Sequence, residues 1–278
     1  MSTLALTGST GQLGGAVARA LADLSPRLVV RDPARAPAIA GSTVVAAEYG
    51  DRGAAIAALE GVEVLLMVSA SESQTRRTEH RTFIEAAAEA GVRHLVYTSF
   101  AGAAPEARFT LGRDHHDAEQ AIKECELTHT ILRDNFYLDV LPLFADADGL
   151  ISGPAGEGRV AAVARADVAA VAAEVLRSPD EHAGATYELT GPESLTFAEI
   201  AARSSAALGR PLRFADETTE QAYASRRAAY PEAEDWQLDA WVSTYTAIRD
   251  GEVARLSDDV RRVTGRRPRS LERALLTP

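Results

Sequence analysis

Cysteine is almost missing from this sequence. Cys125 stands alone among 278 residues, so the chain can form no internal disulfide and no thiolate metal cluster. Long apolar runs are missing too. No stretch approaches the roughly 20 residues of a spanning helix, and the first residues enter a strand pattern at once without a charged leader, which predicts a cytoplasmic protein with no membrane attachment. Positive charge is scarce: 40 acidic residues against 29 basic ones leave a formal net charge of −11, which argues against nucleic acid and against a basic membrane-docking face. Against that balance the cluster Arg261, Arg262, Arg266, Arg267 and Arg269 reads as a solvated tail. No low-complexity tract and no Pro- or Gly-rich linker divides the chain, which is long enough for one large core or a core with an appendage.

What is present begins with Leu4-Ala5-Leu6-Thr7-Gly8-Ser9-Thr10-Gly11-Gln12-Leu13-Gly14-Gly15, an apolar run that breaks through spaced glycines into a helical pattern carried by Leu13, Val17, Leu21 and Leu24. It predicts a strand, a tight turn and a helix. Gly8 falls where the strand ends, Gly11 where backbone must approach a ligand and Gly14 where helix packs on sheet, each a position that favours a residue without Cβ. The N–H groups that open the helix, near Thr10, Gly11, Gln12 and Leu13, would face outward with the positive end of the helix dipole, which makes a pyrophosphate site.

Strand and helix patterns then alternate. Residues 26–30 read as a strand ending at Arg31, where many NAD-binding folds place an acid; a guanidinium suits a 2′-phosphate, so NADPH is expected over NADH, although Asp32 could still reach a ribose. Strand 42–47 leads to Glu48 and Tyr49, either of which could line an adenine pocket, and to helix 54–59 capped by Asp51. Strand 62–68 opens into Ser69, Ala70 and Ser71, a small polar loop expected to border the cofactor because ligands of open parallel sheets lie beyond the carboxyl ends of the strands. Helix 75–90 points Phe83, Ile84, Ala87 and Ala88 inward, while Arg76, Arg77, Glu79, His80, Arg81 and Glu85 read as a solvated face. Strand 93–99 ends at Ser99, and the next helix places His115 and Glu119 on one face, where they could pair. A metal site from Asp114, His115, His116 and Asp117 is disfavoured, because adjacent histidines diverge on a helix and no distant third ligand is apparent. Strand 128–132 follows, ending in Arg133-Asp134-Asn135-Phe136-Tyr137. The alternation predicts an α/β fold, a Rossmann-type doubly wound parallel sheet, with a smaller, mostly helical C-terminal substrate region. Residues 1–135, completed by 159–190, would form the dinucleotide-binding domain, and 136–158 with 191–278 the substrate region, in which 139–144 suggests a helix, 149–158 a glycine-rich turn and 160–163 a strand.

The ordered set of the glycine turn, Val30-Arg31-Asp32-Pro33, Tyr97-Thr98-Ser99, His115 with Glu119, Leu132-Arg133-Asp134-Asn135-Phe136-Tyr137, Arg165-Ala166-Asp167, Tyr187-Glu188-Leu189 and Gly209-Arg210-Pro211 resembles the NmrA-like atypical short-chain dehydrogenase/reductases. Within them it is most similar to bacterial zinc-independent NADPH:quinone reductases and triphenylmethane dye reductases. The wider superfamily carries a Tyr-x-x-x-Lys pair that protonates a reduced carbonyl. Counted from Glu119, the resemblance puts the lysine position at His115 and the tyrosine position at Leu111, so that proton donor is absent. Hydride transfer to a quinone or cationic dye tolerates the loss, because the product is a delocalised anion or neutral. The resemblance therefore implies an NADPH-dependent reductase of a quinone-like or other conjugated small molecule. Ser99 and His115 would stabilise an oxyanion, and Tyr137, Phe136 and Tyr97 would wall the acceptor. The alternatives are a non-catalytic NADP-binding redox sensor and a biosynthetic enone or imine reductase. The partner expected is a small-molecule substrate, and a homodimer is possible.

Overall fold

The computed structural model describes residues 4–276. In chain order it contains β1 (Leu4–Thr7), α1 (Gln12–Ala20), β2 (Arg27–Val30), β3 (Val44–Ala46), α2 (Arg52–Leu59), β4 (Val64–Met67), α3 (Arg76–Glu89), β5 (His94–Phe100), α4 (Thr110–Glu124), β6 (Thr128–Asp134), β7 (Leu150–Gly153), β8 (Arg159–Val160), α5 (Arg165–Arg177), β9 (Thr186–Leu189), β10 (Leu195–Thr196), α6 (Phe197–Leu208), β11 (Arg213–Asp216), α7 (Thr219–Ala229), α8 (Asp235–Arg249), α9 (Asp259–Thr264) and α10 (Leu271–Leu276). Seven strands form one sheet in the order β3-β2-β1-β4-β5-β6-β9. β1 pairs in parallel with β2 on one side and with β4 on the other, so the winding direction reverses at β1 and β4 and leaves a crevice beyond their carboxyl ends. This is the Rossmann-type doubly wound sheet that the alternation implied.

Central parallel strands are covered on both faces, which is why β1 and β4 read as unbroken apolar runs and are buried along their whole length. Ala5, Leu65, Met67, Leu95 and Tyr97 of the sheet pack with Leu59 of α2, Phe83 and Ile84 of α3, and Ala118 and Ile122 of α4. The Asp51 carboxylate accepts the Ala54 N–H at 2.9 Å and caps α2, as its place before the alanine run suggested.

The chain divides into two compact units, 1–100 with 114–133 and 168–187, and 101–113 with 134–167 and 188–278. The second therefore takes 101–113, 134–135, 159–167 and 188–190, which the sequence pattern groups with the dinucleotide-binding half. Two further differences lie in that unit. The helix suggested over 139–144 is only a 3-10 turn, Leu141–Phe144, because Pro142 lacks the N–H that a continuing helix needs. Within the glycine-rich stretch, Leu150–Gly153 is a strand, β7, paired in parallel with β11 over four residues, a partner too distant in sequence to show in local pattern, and the turn expected there is confined to the residues that follow, where Gly158 N–H donates to the Ala155 carbonyl. Phe197 stacks on Tyr245 at 5.0 Å and on Phe214 at 5.3 Å, so these aromatics are core. Among the described residues no helix is long and apolar enough to cross a membrane.

Candidate functional site

The turn after β1 has the form its glycines imply. Gly8 adopts φ +66°, a left-handed conformation that an L side chain disfavours. Gly11 N–H closes the turn on the Gly8 carbonyl at 2.9 Å, and a Cβ on Gly14 would lie 2.3 Å from that same oxygen. Gly11 is the N-cap of α1, with no side-chain cap and no acidic residue in the first turn. The first N–H groups of the helix have no acceptor within it, and Thr10, Gly11 and Gln12 are exposed, whereas the Leu13 side chain turns into the core. The arrangement gathers donors and positive dipole without a resident anion.

Around the crevice the other expected residues divide. Arg31 is exposed at the end of β2. Asp32 is exposed beside it; one oxygen of its carboxylate accepts the Ala34 N–H at 3.0 Å and caps the short turn Pro33–Arg35. Glu48 stays exposed, and Tyr49 is partly buried with its hydroxyl engaged. Its hydroxyl donates to the Val68 carbonyl at 2.6 Å and meets Thr7 Oγ1, which accepts the Val68 N–H at 2.9 Å, while its ring lies 4.4 Å from Phe83. The phenol is spent tying β1 to the extension of β4.

The loop after β4 is held from below. Ser69 N–H donates to Thr98 Oγ1 at 2.8 Å, Ala70 N–H donates to His80 Nε2 at 2.9 Å, and Arg76 Nε donates to the Ala70 carbonyl at 2.9 Å. Ser71 remains exposed. Arg76 and His80 therefore do not belong to the solvated face of α3; they are 2% and 0% exposed. The outer face is carried by Arg77 and Arg81, which pair with Asp117 on α4 at 3.0 and 2.8 Å. The guanidinium of Arg76 is compensated by Asp114 at 3.2 Å. A signal for both existed in the sequence: 76, 80, 83 and 87 lie on the stripe of Phe83 and Ala87, at alternating spacings of four and three.

The catalytic candidates are also redistributed. His115 and Glu119 share a face of α4 without pairing. His115 Nε2 accepts from Arg76 at 3.0 Å and its Nδ1 lies 3.1 Å from the Tyr97 hydroxyl. Glu119 instead accepts from Ser99 Oγ at 2.6 Å and from two nitrogens of Arg133 at 2.8 and 2.7 Å. Ser99 has no exposed surface and its proton is committed to a carboxylate, so it cannot serve an oxyanion from that position. Burial, reinforced by Arg76, holds the His115 pKa well below the ordinary imidazole value, which keeps the ring neutral. Tyr97 is fully buried and walls no ligand. In the second unit, Tyr137 donates its hydroxyl to Asp134, and burial with that carboxylate pushes its pKa well up. Phe136, half-buried, meets Phe109 edge-on at 5.2 Å.

Residues 8–179 match the family described as NAD(P)H-binding. The chain belongs to this NAD(P)H-binding family. Quinone oxidoreductase 2 of Escherichia coli K12 is 38% identical over 220 residues, 76% of each chain. A crystal structure of the NADPH-dependent quinone oxidoreductase of that species, complexed with NADPH, matches with a TM-score of 0.89 and 32% identity over 98% of both chains. The triphenylmethane reductase of Citrobacter sp., complexed with NADP(H), matches with a TM-score of 0.86 and 29% identity, over 98% of this chain and 99% of that one. The NAD(P)H azoreductase of Xenophilus azovorans is 34% identical over 276 residues, 95% of this chain and 94% of that one. An NAD(P)H-binding chain similar to quinone and triphenylmethane reductases is thus what the ordered motifs implied, while the hydrogen bonds of Ser99, Tyr97 and His115 left no trace in them.

Proposed function

We propose that this protein is an NADPH-dependent reductase that delivers hydride to a quinone-like or other conjugated small molecule. The observation that carries the reading is the uncapped N-terminus of α1 at the β1/β4 reversal, in a chain similar along nearly its full length to a quinone oxidoreductase crystallised with NADPH. Gly8, Thr10, Gly11, Gln12, Leu13 and Gly14 form the pyrophosphate cradle. Arg31, exposed at the end of β2, takes the 2′-phosphate. Ser69, Ala70 and Ser71 border the nicotinamide half. Bound NADPH supplies the hydride.

The chain's own residues explain why a conjugated acceptor is favoured. Leu111 has no proton to give, Ser99 holds its proton on Glu119, and both ring nitrogens of His115 are engaged inside the protein. A ketone needs a proton as hydride arrives, whereas a quinone or a cationic dye accepts hydride first and leaves protonation to solvent. In steady state, NADPH absorbance is expected to fall only when a quinone, azo or triphenylmethane dye is added; tight NADPH binding with no acceptor-dependent oxidation would instead establish a non-catalytic sensor. Arg31→Ala is expected to weaken NADPH by about 10- to 100-fold, the scale of a lost charge-assisted hydrogen bond, while NADH changes less than about twofold. Equal weakening of the two, in parallel fluorescence titrations, would remove Arg31 from the phosphate.

A further inference from the structure

The Ala70 peptide groups close a ring of hydrogen bonds that runs through three elements of the first unit. Ala70 N–H donates to His80 Nε2, and Arg76 Nε donates to the Ala70 carbonyl, both at 2.9 Å. A second nitrogen of Arg76 donates to His115 Nε2 at 3.0 Å; His115 Nδ1 lies 3.1 Å and His80 Nδ1 3.4 Å from the same Tyr97 oxygen. Arg76, His80, Tyr97 and His115 are 2%, 0%, 0% and 6% exposed.

Donor and acceptor rules fix the polarity of this ring. A backbone N–H and a guanidinium only donate, so Nε2 of each histidine accepts and each neutral imidazole carries its proton on Nδ1. Both Nδ1–H groups then point at Tyr97, whose oxygen has lone pairs for two. Burial pulls His80 down to about 3 and His115 well down, so neither tautomer is disturbed near neutrality. His115 is therefore locked, with no free nitrogen to turn toward a substrate. A purely structural helix face is served as well by apolar side chains, whereas this one grips both peptide groups that flank the Ala70 Cα, the N–H of one and the C=O of the other.

We propose that Arg76 and His80 are positioning residues for the cofactor: through the ring they hold the Ala70 peptide in one orientation, and with it Ser69 and Ser71 beside the nicotinamide half. The proposal rests on the NADPH reading above. The ring performs in advance the ordering that an unsupported loop would undergo on binding.

His80→Gln places an amide oxygen near the former Nε2 and keeps an acceptor for Ala70; His80→Leu keeps bulk and removes it. Hydrogen exchange at the Ala70 amide and NADPH titration would be read on both variants. His80→Leu is expected to expose the Ala70 amide and to weaken NADPH by about tenfold, the scale of one lost net hydrogen bond, with the acceptor KM unchanged at saturating NADPH. His80→Gln is expected to restore Ala70 protection and NADPH affinity to within about twofold. If His80→Leu does not fold, Arg76→Lys, which keeps the charge facing Asp114 but cannot donate to Ala70 and His115 together, is expected to weaken NADPH to the same extent. NADPH binding at wild-type strength in a folded variant whose Ala70 amide exchanges freely would overturn the positioning role and leave the cofactor reading intact. Failure of the wild-type protein to bind NADPH would overturn both.

Discussion

Gly14→Ala is expected to reduce NADPH affinity on the order of 100-fold or more, since a displacement near 1 Å of positioning groups has consequences of that size. The new Cβ would lie 2.3 Å from the Gly8 carbonyl oxygen, 2.5 Å from its carbon and 3.0 Å from Ser9 N. All three are backbone atoms, so no side chain can rotate aside. Either α1 shifts away from the turn or the Gly8 peptide reorients, and both move the N–H groups that make the anion site. Overpacking of this kind costs about 1–3 kcal/mol of stability. Gly53→Ala is the matched control: it lies in α2, its Cβ would meet nothing nearer than 3.7 Å, and removing a helical glycine is expected to stabilise by about 0.5–1 kcal/mol with binding untouched. Thermal melts and NADPH titrations on the two variants are the measurement. A Gly14→Ala protein that binds NADPH normally would place the pyrophosphate elsewhere.

The second large effect is a loss of stability in mild acid. His80, His94 and His115 are buried, and burial lowers the pKa of each, His80 to about 3. With folded values below the unfolded value of about 6.5, the unfolded chain binds protons first as pH falls. The stabilising contribution of each neutral histidine is thus complete above about pH 6.5 and declines below it by close to 1.4 kcal/mol per pH unit; for His80 the decline continues to about pH 3. Urea denaturation between pH 6 and pH 5 should show this slope, and His80→Gln should lessen it by about one proton's worth, ~1.4 kcal/mol per pH unit. Equal slopes in the two proteins would mean that His80 is protonated in the native state.

The parts that sequence made legible are those in which the physical signal is local. The glycine turn, the Asp51 cap and the apolar strands on either side of the reversal each need only neighbouring residues to define them, and the structure has them in place. The site was harder to read because its polar atoms are satisfied by partners far along the chain. Tyr49 joins Thr7 and Val68, Glu119 takes Ser99 and Arg133, and Arg76 reaches His115. A charged residue on a helix suggests solvent by composition, so Arg76 and His80 were misassigned although their spacing put them on the buried stripe. β7 escaped for a related reason: its ladder is with β11, about sixty residues on.

The residues just beyond β4 behave as a strand whose neighbours are side chains. Val68 N–H goes to Thr7, Ser69 N–H to Thr98 and Ala70 N–H to His80. Three successive amides are thereby engaged within the protein, as are the Val68 and Ala70 carbonyls, which accept from Tyr49 and Arg76, while Ser71 stays exposed. The opening of α1 presents the reverse, a concentration of N–H groups with no acid among them. The two stretches thus have opposite character: N–H groups gather at the opening of α1, whereas the amides of residues 68–70 are already taken by side chains.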